Sequence, residues 1–281
     1  MKKNQSKRLT TQHIKTHGVI GIFGEEAKEH DSEVSYNSHI AMEILQKKYP
    51  MLKFRHRAEL TKVEINNALK KIDNYLGQTL FVPNSKIKPD GGIIEVEDDE
   101  KKWRVILVSE AKHQGKDIEN IQKGILVGTK QNQDLMVAGN AIERAHKNIS
   151  EIANYMLSEA YFPYVLFLEG SNFLTHNITI KRPDGRDVTL TYNSGALNRL
   201  DRLTAANYGM PINTNLCENK FVLCNSRNIM LQAASIYTQC EGNHWSDEDM
   251  IKVMLEISET SLKMIGKDLF KQITNNNMYR K

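Results

Sequence analysis

Cysteine is scarce in this chain: Cys217, Cys224 and Cys240 are the three, with no Cys-x-x-Cys spacing among them. That excludes a disulfide framework and reads as reduced thiols in a cytoplasmic protein. Long apolar runs are missing as well. No stretch approaches the roughly 18 residues of a membrane span, so no membrane partner is expected. The opening segment MKKNQSKRLTTQHIKTHG is charged but lacks an apolar centre, which excludes reading it as a signal peptide. A strong charge bias is absent too. A net charge of +4 is too mild to establish a nucleic-acid partner by itself.

What is present supports one substantial core. The chain has 281 residues with 40% hydrophobic content, enough for one large domain or two small ones, and no linker forces a split. Charge is unevenly placed. Lys2, Lys3, Lys7, Arg8 and Lys15 all precede the first acidic residue, Glu25. Such a start is either a solvated tail or an arm that contacts phosphates and orders on DNA.

Hydrophobic periodicity divides the chain. Ile40, Ile44 and Leu45 predict a helix ended by Tyr49-Pro50, and Leu60, Val63, Ala68, Leu69, Ile72 and Leu76 predict a second before Gly77. The period then shortens. TLFVPN (79–84), IIEVED (93–98) and KWRVILVSEAK (102–112) read as strands, the last two forming a hairpin around Asp99-Glu100. Residues 113–135 are polar, punctuated by Gly115, Gly124 and Gly128, and so long a segment without periodicity is functional or disordered. A helix is expected over 140–159, a buried strand over 164–168 and a hairpin over 178–192 with Pro183-Asp184-Gly185 at its turn. A helix over 195–207, a strand over 220–224 and helices over 228–240 and 247–273 complete the reading. The fold class is α/β, a mixed sheet with helices on both faces.

One cluster carries chemistry: Pro89-Asp90, nineteen residues, then Glu110-Ala111-Lys112. Hydrolysis of a phosphodiester needs a divalent cation on hard oxygen ligands, an activated water and charge relief at the phosphate. Asp90 and Glu110 offer the oxygens. Lys112 can steady the water or offset phosphate charge. Acid-x-Lys triplets recur in this chain, at Glu26-Ala27-Lys28 and Glu218-Asn219-Lys220 among others, so the triplet alone says little. Context separates this one, because Val105-Ile106-Leu107-Val108 leads into it and buried charge is costly unless paired or metal-bound. The competing reading is a surface Glu110–Lys112 salt bridge.

The Asp90…Glu110-x-Lys112 layout resembles the PD-(D/E)-x-K nuclease motif. Longer runs narrow the resemblance: GVIGIFG (18–24), IKPDGG (87–92), EAKHQGKDI (110–118), GNAIERAHKNISEIAN (139–154), FLEGSNFLT (167–175) and LNRLDRLTAANYGMPIN (197–213). With similarity over nearly the whole chain, it is identified as a member of the EcoRI-type type II restriction endonucleases.

The resemblance implies a restriction-endonuclease-like central mixed sheet flanked by helices, with arm extensions that wrap DNA. It implies one endonuclease domain over 1–281, with a basic N-terminal arm (1–17), an inner arm and recognition segment (113–138) and a hairpin extension (176–193). Asp90 and Glu110 would hold Mg²⁺ and Lys112 would be the catalytic lysine. Gln114, Met136, Val137, Ala138, Gly139, Asn140, Ala141, Glu143, Arg144, Arg199 and Arg202 would serve DNA recognition. The chemistry of those residues is compatible. Asn140 can bond adenine bidentately, Arg144 offers a fork to purine acceptors, and the two are four apart on one helix face. A capped amphipathic helix with a solvated Asn/Arg face is the plain alternative, as is a solvent-facing role for Arg199 and Arg202.

The expected activity is Mg²⁺-dependent hydrolysis of double-stranded DNA at a palindrome, G↓AATTC, by a homodimer. A cognate DNA methyltransferase is expected in the same system, not as a stable subunit. Val137-Ala138 departs from the Ala-Ala of the family pattern. The larger side chain would need room, or affinity at one base pair would shift by about 1–3 kcal/mol. The rival reading is a catalytically silent sequence-specific DNA-binding protein on the same scaffold.

Overall fold

The computed structural model describes residues 25–77, 84–124, 132–134, 139–159, 161–192, 220–224, 227–231, 235–238 and 244–265. Helix α1 (Glu25–Lys48) buries Val34, Ala41 and Leu45 along one side and stops where Pro50 disfavours helical backbone in the residue before it. Strands β1 (Phe54–Arg57) and β2 (Leu60–Thr61) follow, and then α2 (Lys62–Ile72). Thr61 and Glu64 close a reciprocal capping box at the start of α2. Ile65 and Leu69 turn inward, while Val63, Ile72 and Leu76 are exposed.

Next come β3 (Lys86–Ile87), β4 (Gly92–Glu97), β5 (Trp103–His113), α3 (Asp117–Gln122), β6 (Asn132–Asp134) and α4 (Gly139–Tyr155). Strands β7 (Tyr164–Glu169), β8 (Ile178–Lys181), β9 (Asp187–Thr191), β10 (Lys220–Cys224), β11 (Arg227–Leu231) and β12 (Ser235–Thr238) precede the last described helix, α5 (Asp247–Ile265). The central sheet runs β1-β4-β5-β7-β12. Its β1, β4 and β5 pair antiparallel, while β5, β7 and β12 pair parallel, so the sheet is mixed. Strands β5 and β7 are apolar on both faces, as central strands under two helical layers must be.

One face packs on α2 and α4 through Ile65, Leu69, Val105, Val108, Ile149 and Ile152. The other packs on α1 and α5 through Leu45, Ile106, Leu107, Phe167, Met254 and Ile257. Val105 and Val108 share the first face because β5 carries a bulge, with Ile94 opposite Leu107 but Glu95 opposite Val105. The extra residue, Ile106, shifts the alternation by one. Strict alternation from Val105 would have placed Glu110 and Lys112 on the α1/α5 face; the bulge turns them toward α4.

A smaller sheet, β6-β9-β8, has its own apolar centre with α3, made of Ile118, Ile121, Leu174, Ile180, Val188 and Leu190. Here the hairpin expected over 178–192 is found, turned at Pro183-Asp184-Gly185 with the Gly185 amide donating to Arg182 O at 2.9 Å.

The helix expected over 228–240 is not formed. Residues 227–231 pair with β10, and 235–238 add to the free edge of β7 in parallel. The segment carries Ile229, Ile236, Tyr237 and Thr238, residues that suit a pleated surface, and an open edge beside a buried strand outweighs local helical preference. The stretch 113–135 holds more structure than its composition suggested, because β5 extends to His113 and α3 and β6 lie within it. Of the strand expected over 79–84 only Asn84 is described, a turn residue at φ 67°. The helix expected over 195–207, the 1–17 arm and the end of the 247–273 helix lie outside the described residues. Among the described residues no helix is long and apolar enough to cross a membrane.

Candidate active site

Asp90 sits in the tight turn that feeds β4. The Gly92 amide donates to Pro89 O at 3.0 Å and the Gly91 amide to Ser109 O at 2.9 Å, clamping the turn onto β5. Glycine suits both positions, Gly92 by its backbone and Gly91 by the closeness of Ser109. Gly92 has φ 76°, and a Cβ on Gly91 would come within 2.1 Å of Ser109 Oγ. The turn therefore delivers the Asp90 carboxylate to the end of β5, where the Ala111 amide donates to its Oδ2 at 3.4 Å.

Glu110 and Lys112 project from the same face of β5. Lys112 Nζ bonds Asp90 Oδ2 and lies 2.6 Å from Glu110 Oε1, so one ammonium bridges two carboxylates. Glu110 is fully buried, and its other oxygen is held by two donors, Tyr164 Oη on β7 and Asn148 Nδ2 on α4 at 3.0 Å. This is not the surface salt bridge that sequence alone left open. Burial holds the Glu110 carboxyl above its ordinary range although Lys112 opposes the shift. Burial also works against the Lys112 ammonium, but Glu110 and Asp90 outweigh it and hold it above the usual lysine value. Lys112 is thus a charged donor at neutral pH, suited to stabilising negative charge rather than to accepting a proton.

The groove beside the turn is lined by Asp31 and Ser35 of α1, His56 of β1, and Lys88 and Asp90. Asp31 is pushed up to about 6, by partial burial first and then by the Asp90 charge. It adds a third carboxylate to the rim.

The three residues expected to perform catalysis are brought together. Gln114 follows β5 directly and is built into the strand ends by its backbone, its amide donating to Glu169 O at 3.1 Å and its carbonyl accepting from the Asn172 amide at 3.0 Å. Its side-chain Oε1 is buried without a hydrogen-bond partner among the described residues. Gly139, Asn140, Ala141, Glu143 and Arg144 form the first turns of α4, with Arg144 exposed and Ala145 and Ile149 turned inward. Met136, Val137, Ala138, Arg199 and Arg202 lie outside the described residues.

Sequence reasoning missed Tyr164 and Asn148. Tyr164 opens an apolar strand and looked like core. Asn148 stands three residues after Ala145 and four before Ile152, so a polar side chain interrupting that stripe was the available signal.

Comparison with known proteins points one way. The model of the family "Restriction endonuclease EcoRI" matches residues 16–272. The chain is similar to the type II restriction enzyme EcoRI of Escherichia coli, with 66% identity over 273 residues, covering 97% of this chain and 99% of the relative. It is also similar to the type II restriction enzyme RsrI of Cereibacter sphaeroides, with 47% identity over 267 residues, covering 95% and 96%.

Proposed function

The chain belongs to the EcoRI restriction endonuclease family, and from that premise we propose that it is a type II restriction enzyme that hydrolyses double-stranded DNA at the palindrome GAATTC. It cuts after the G, in the presence of Mg²⁺, and leaves 5′-phosphate ends with 5′ overhangs. The observation that carries this reading is the Asp90–Lys112–Glu110 cluster, two carboxylates around a single ammonium at one end of the sheet.

The donor set fits a hard divalent cation. Both carboxylates offer oxygens, and beside Glu110 Oε1 the Lys112 ammonium, 2.6 Å away, already stands in as a cation. Asp90 and Glu110 would hold the ion. When bound, Mg²⁺ supplies charge relief at the phosphate and a more acidic water. The remaining work belongs to the chain. Tyr164 and Asn148 fix one Glu110 oxygen and leave the other for the cation. Lys112, kept protonated, donates toward the water or the non-bridging phosphate oxygens. Water attacks phosphorus in line, and no side chain forms a covalent bond to it.

Recognition is assigned to Gln114, to Met136, Val137 and Ala138, to Gly139, Asn140, Ala141, Glu143 and Arg144 at the start of α4, and to Arg199 and Arg202. A helix N-terminus suits the phosphates that flank a major groove, and Asn140 and Arg144 carry groups that can pair with purine edges. A palindrome calls for a two-fold dimer in which each subunit cuts one strand. The enzyme acts in the cytoplasm as one endonuclease domain. Residues 1–17, 113–138 and 176–193 form its DNA-wrapping extensions, and a separate cognate methyltransferase protects host sites.

The test is digestion of a fully sequenced phage DNA with Mg²⁺, followed by sequencing of every end. Cuts confined to G↓AATTC are expected, with Val137 accommodated. Cuts at a related palindrome would move the difference into recognition. Specific binding without any cut, in a folded preparation, would overturn the catalytic assignment.

A further inference from the structure

On the side of the sheet away from Glu110 and Lys112, a second polar cluster is centred on Glu169, the last residue of β7. Its Oε1 lies 2.9 Å from His113 Nδ1, 3.1 Å from His244 Nδ1 and 3.3 Å from His30 Nδ1. Four separate parts of the chain meet there: α1 gives His30, β5 His113, β7 Glu169, and the residues before α5 His244. A carboxylate oxygen of Glu169 and one ring nitrogen each of His113 and His244 all lie within 4.8 Å of one another. His30 is 1% exposed, yet neither of its ring nitrogens has a hydrogen-bond partner among the described residues. A buried imidazole held without a hydrogen bond, its Nδ1 facing a carboxylate already ringed by two more imidazoles, is a donor set in search of a cation.

We propose that His113, Glu169 and His244 bind a zinc-class transition-metal ion, with His30 placed to supply a fourth ligand. Imidazole nitrogens with one carboxylate suit borderline ions such as Zn²⁺, whereas Mg²⁺ prefers all-oxygen surroundings. The spacing is close to what such an ion needs. With bonds of about 2.0–2.1 Å, ligand atoms around a tetrahedral ion stand about 3.3 Å apart, against N···O contacts of 2.9, 3.1 and 3.3 Å at Glu169. The surroundings are prepared for it. The Trp245 amide donates to Glu169 Oε2 at 3.0 Å, leaving Oε1 for the ion, and Trp245 Nε1 donates to Leu168 O at 3.1 Å. Trp245 also meets Phe167 edge to face at 5.2 Å between centroids, which anchors the backbone next to His244. Second contacts of this kind orient a ligand before the ion arrives. The side chain of His244 is 59% exposed, so an ion has a path in from solvent.

The site is distinct from the catalytic carboxylates. His113 and Lys112 are adjacent on β5 and point to opposite faces, so each cluster has its own donors. A bound ion would tie the ends of β5 and β7 to α1 and to the start of α5 at a single point.

The test uses the full-length, DNA-free protein stripped of metal and kept in excess Mg²⁺. Calorimetric titration with Zn²⁺ should show one equivalent per chain and a raised Tm. Co²⁺ in its place should give the visible bands of a tetrahedral nitrogen-and-oxygen site. His244→Ala should weaken Zn²⁺ binding by at least about tenfold and erase both the Tm gain and the Co²⁺ bands, with zinc-free cleavage unchanged. Asp90→Asn should keep the Zn²⁺ equivalent. Absence of Zn²⁺ binding in the wild type, equal binding by His244→Ala, or displacement of Zn²⁺ by Mg²⁺ would each overturn the assignment.

Discussion

Glu110, three residues before the end of β5, and Glu169, the last residue of β7, stand on neighbouring parallel strands, both closed off from water and shifted in opposite directions. Burial raises both carboxyls. Glu110 stays high because its one cationic partner, Lys112, is shared with a second carboxylate. Glu169 ends below its ordinary value because His113, His30 and the Trp245 amide outweigh burial. The first cluster has two negative charges around one positive and is incomplete without further positive charge. In the second, imidazole nitrogens and an amide surround a single carboxylate, with His30 still without a hydrogen bond among the described residues. The number and kind of partners, not depth, separates a carboxylate kept for chemistry from one that holds the fold together.

The sharpest way to break that contrast is to remove each carboxylate. Glu110→Ala should lower single-turnover cleavage at least about 10²–10³-fold. DNA binding measured without metal should survive. Near-wild-type cleavage would dissolve the distinction.

Glu169→Ala should do the reverse. It leaves several imidazole groups facing an emptied site, and urea unfolding should show a loss of about 3 kcal/mol, the scale for breaking a buried pair. Cleavage per folded molecule at low temperature should stay within a few-fold of wild type. A stable but inactive Glu169→Ala would invert the comparison.

The mildest test takes a carboxylate that is held low but only partly buried. At Glu64 burial is outweighed by the Thr61 hydroxyl and amide and by Arg57, so the carboxyl lies below its usual 4.5. With 38% of the side chain exposed, solvent screening limits the effect, and Glu64→Gln should cost under about 1 kcal/mol at pH 7. The sign follows from linkage. A lowered carboxyl stabilises above its unfolded pKa, and that stabilisation fades as pH falls through the folded value. Thermal melts of wild type and Glu64→Gln should therefore converge in acid. A gap that widened in acid would contradict the shift.

The clustering of Asp90, Glu110 and Lys112, the residues proposed for catalysis, was legible because it broke a rule. Charged residues capping Val105–Val108 conflict with burial unless they are used, and that conflict shows in a single sequence. Asp90 was legible from its place, since it opens the strand next to that of Glu110 and so reaches the same sheet edge, but the tight turn that delivers it was not. The face on which the trio stands was not legible. It depends on the bulge at Ile106, which no residue there announces. Nor was β12, whose strand conformation comes from the open edge of β7 rather than from its own pattern. Tyr164 and Asn148 passed for core and helix because their partner, Glu110, lies 54 and 38 positions away in the chain.

The Asn148–Glu110 hydrogen bond carries a consequence for fidelity. Asn140, Arg144 and Asn148 lie at four-residue intervals on α4, and eight residues of helix span about 12 Å. Under the recognition proposed for Asn140 and Arg144, one stiff rod has base edges at its first end and a metal-binding carboxylate eight residues on. A mismatched base pair that displaced the first end would drag Asn148 and swing Glu110 off its alignment, and small misplacements of a catalytic group are costly in rate. Discrimination would then be counted twice, once in how long the enzyme stays on a site and again in whether it can cut there.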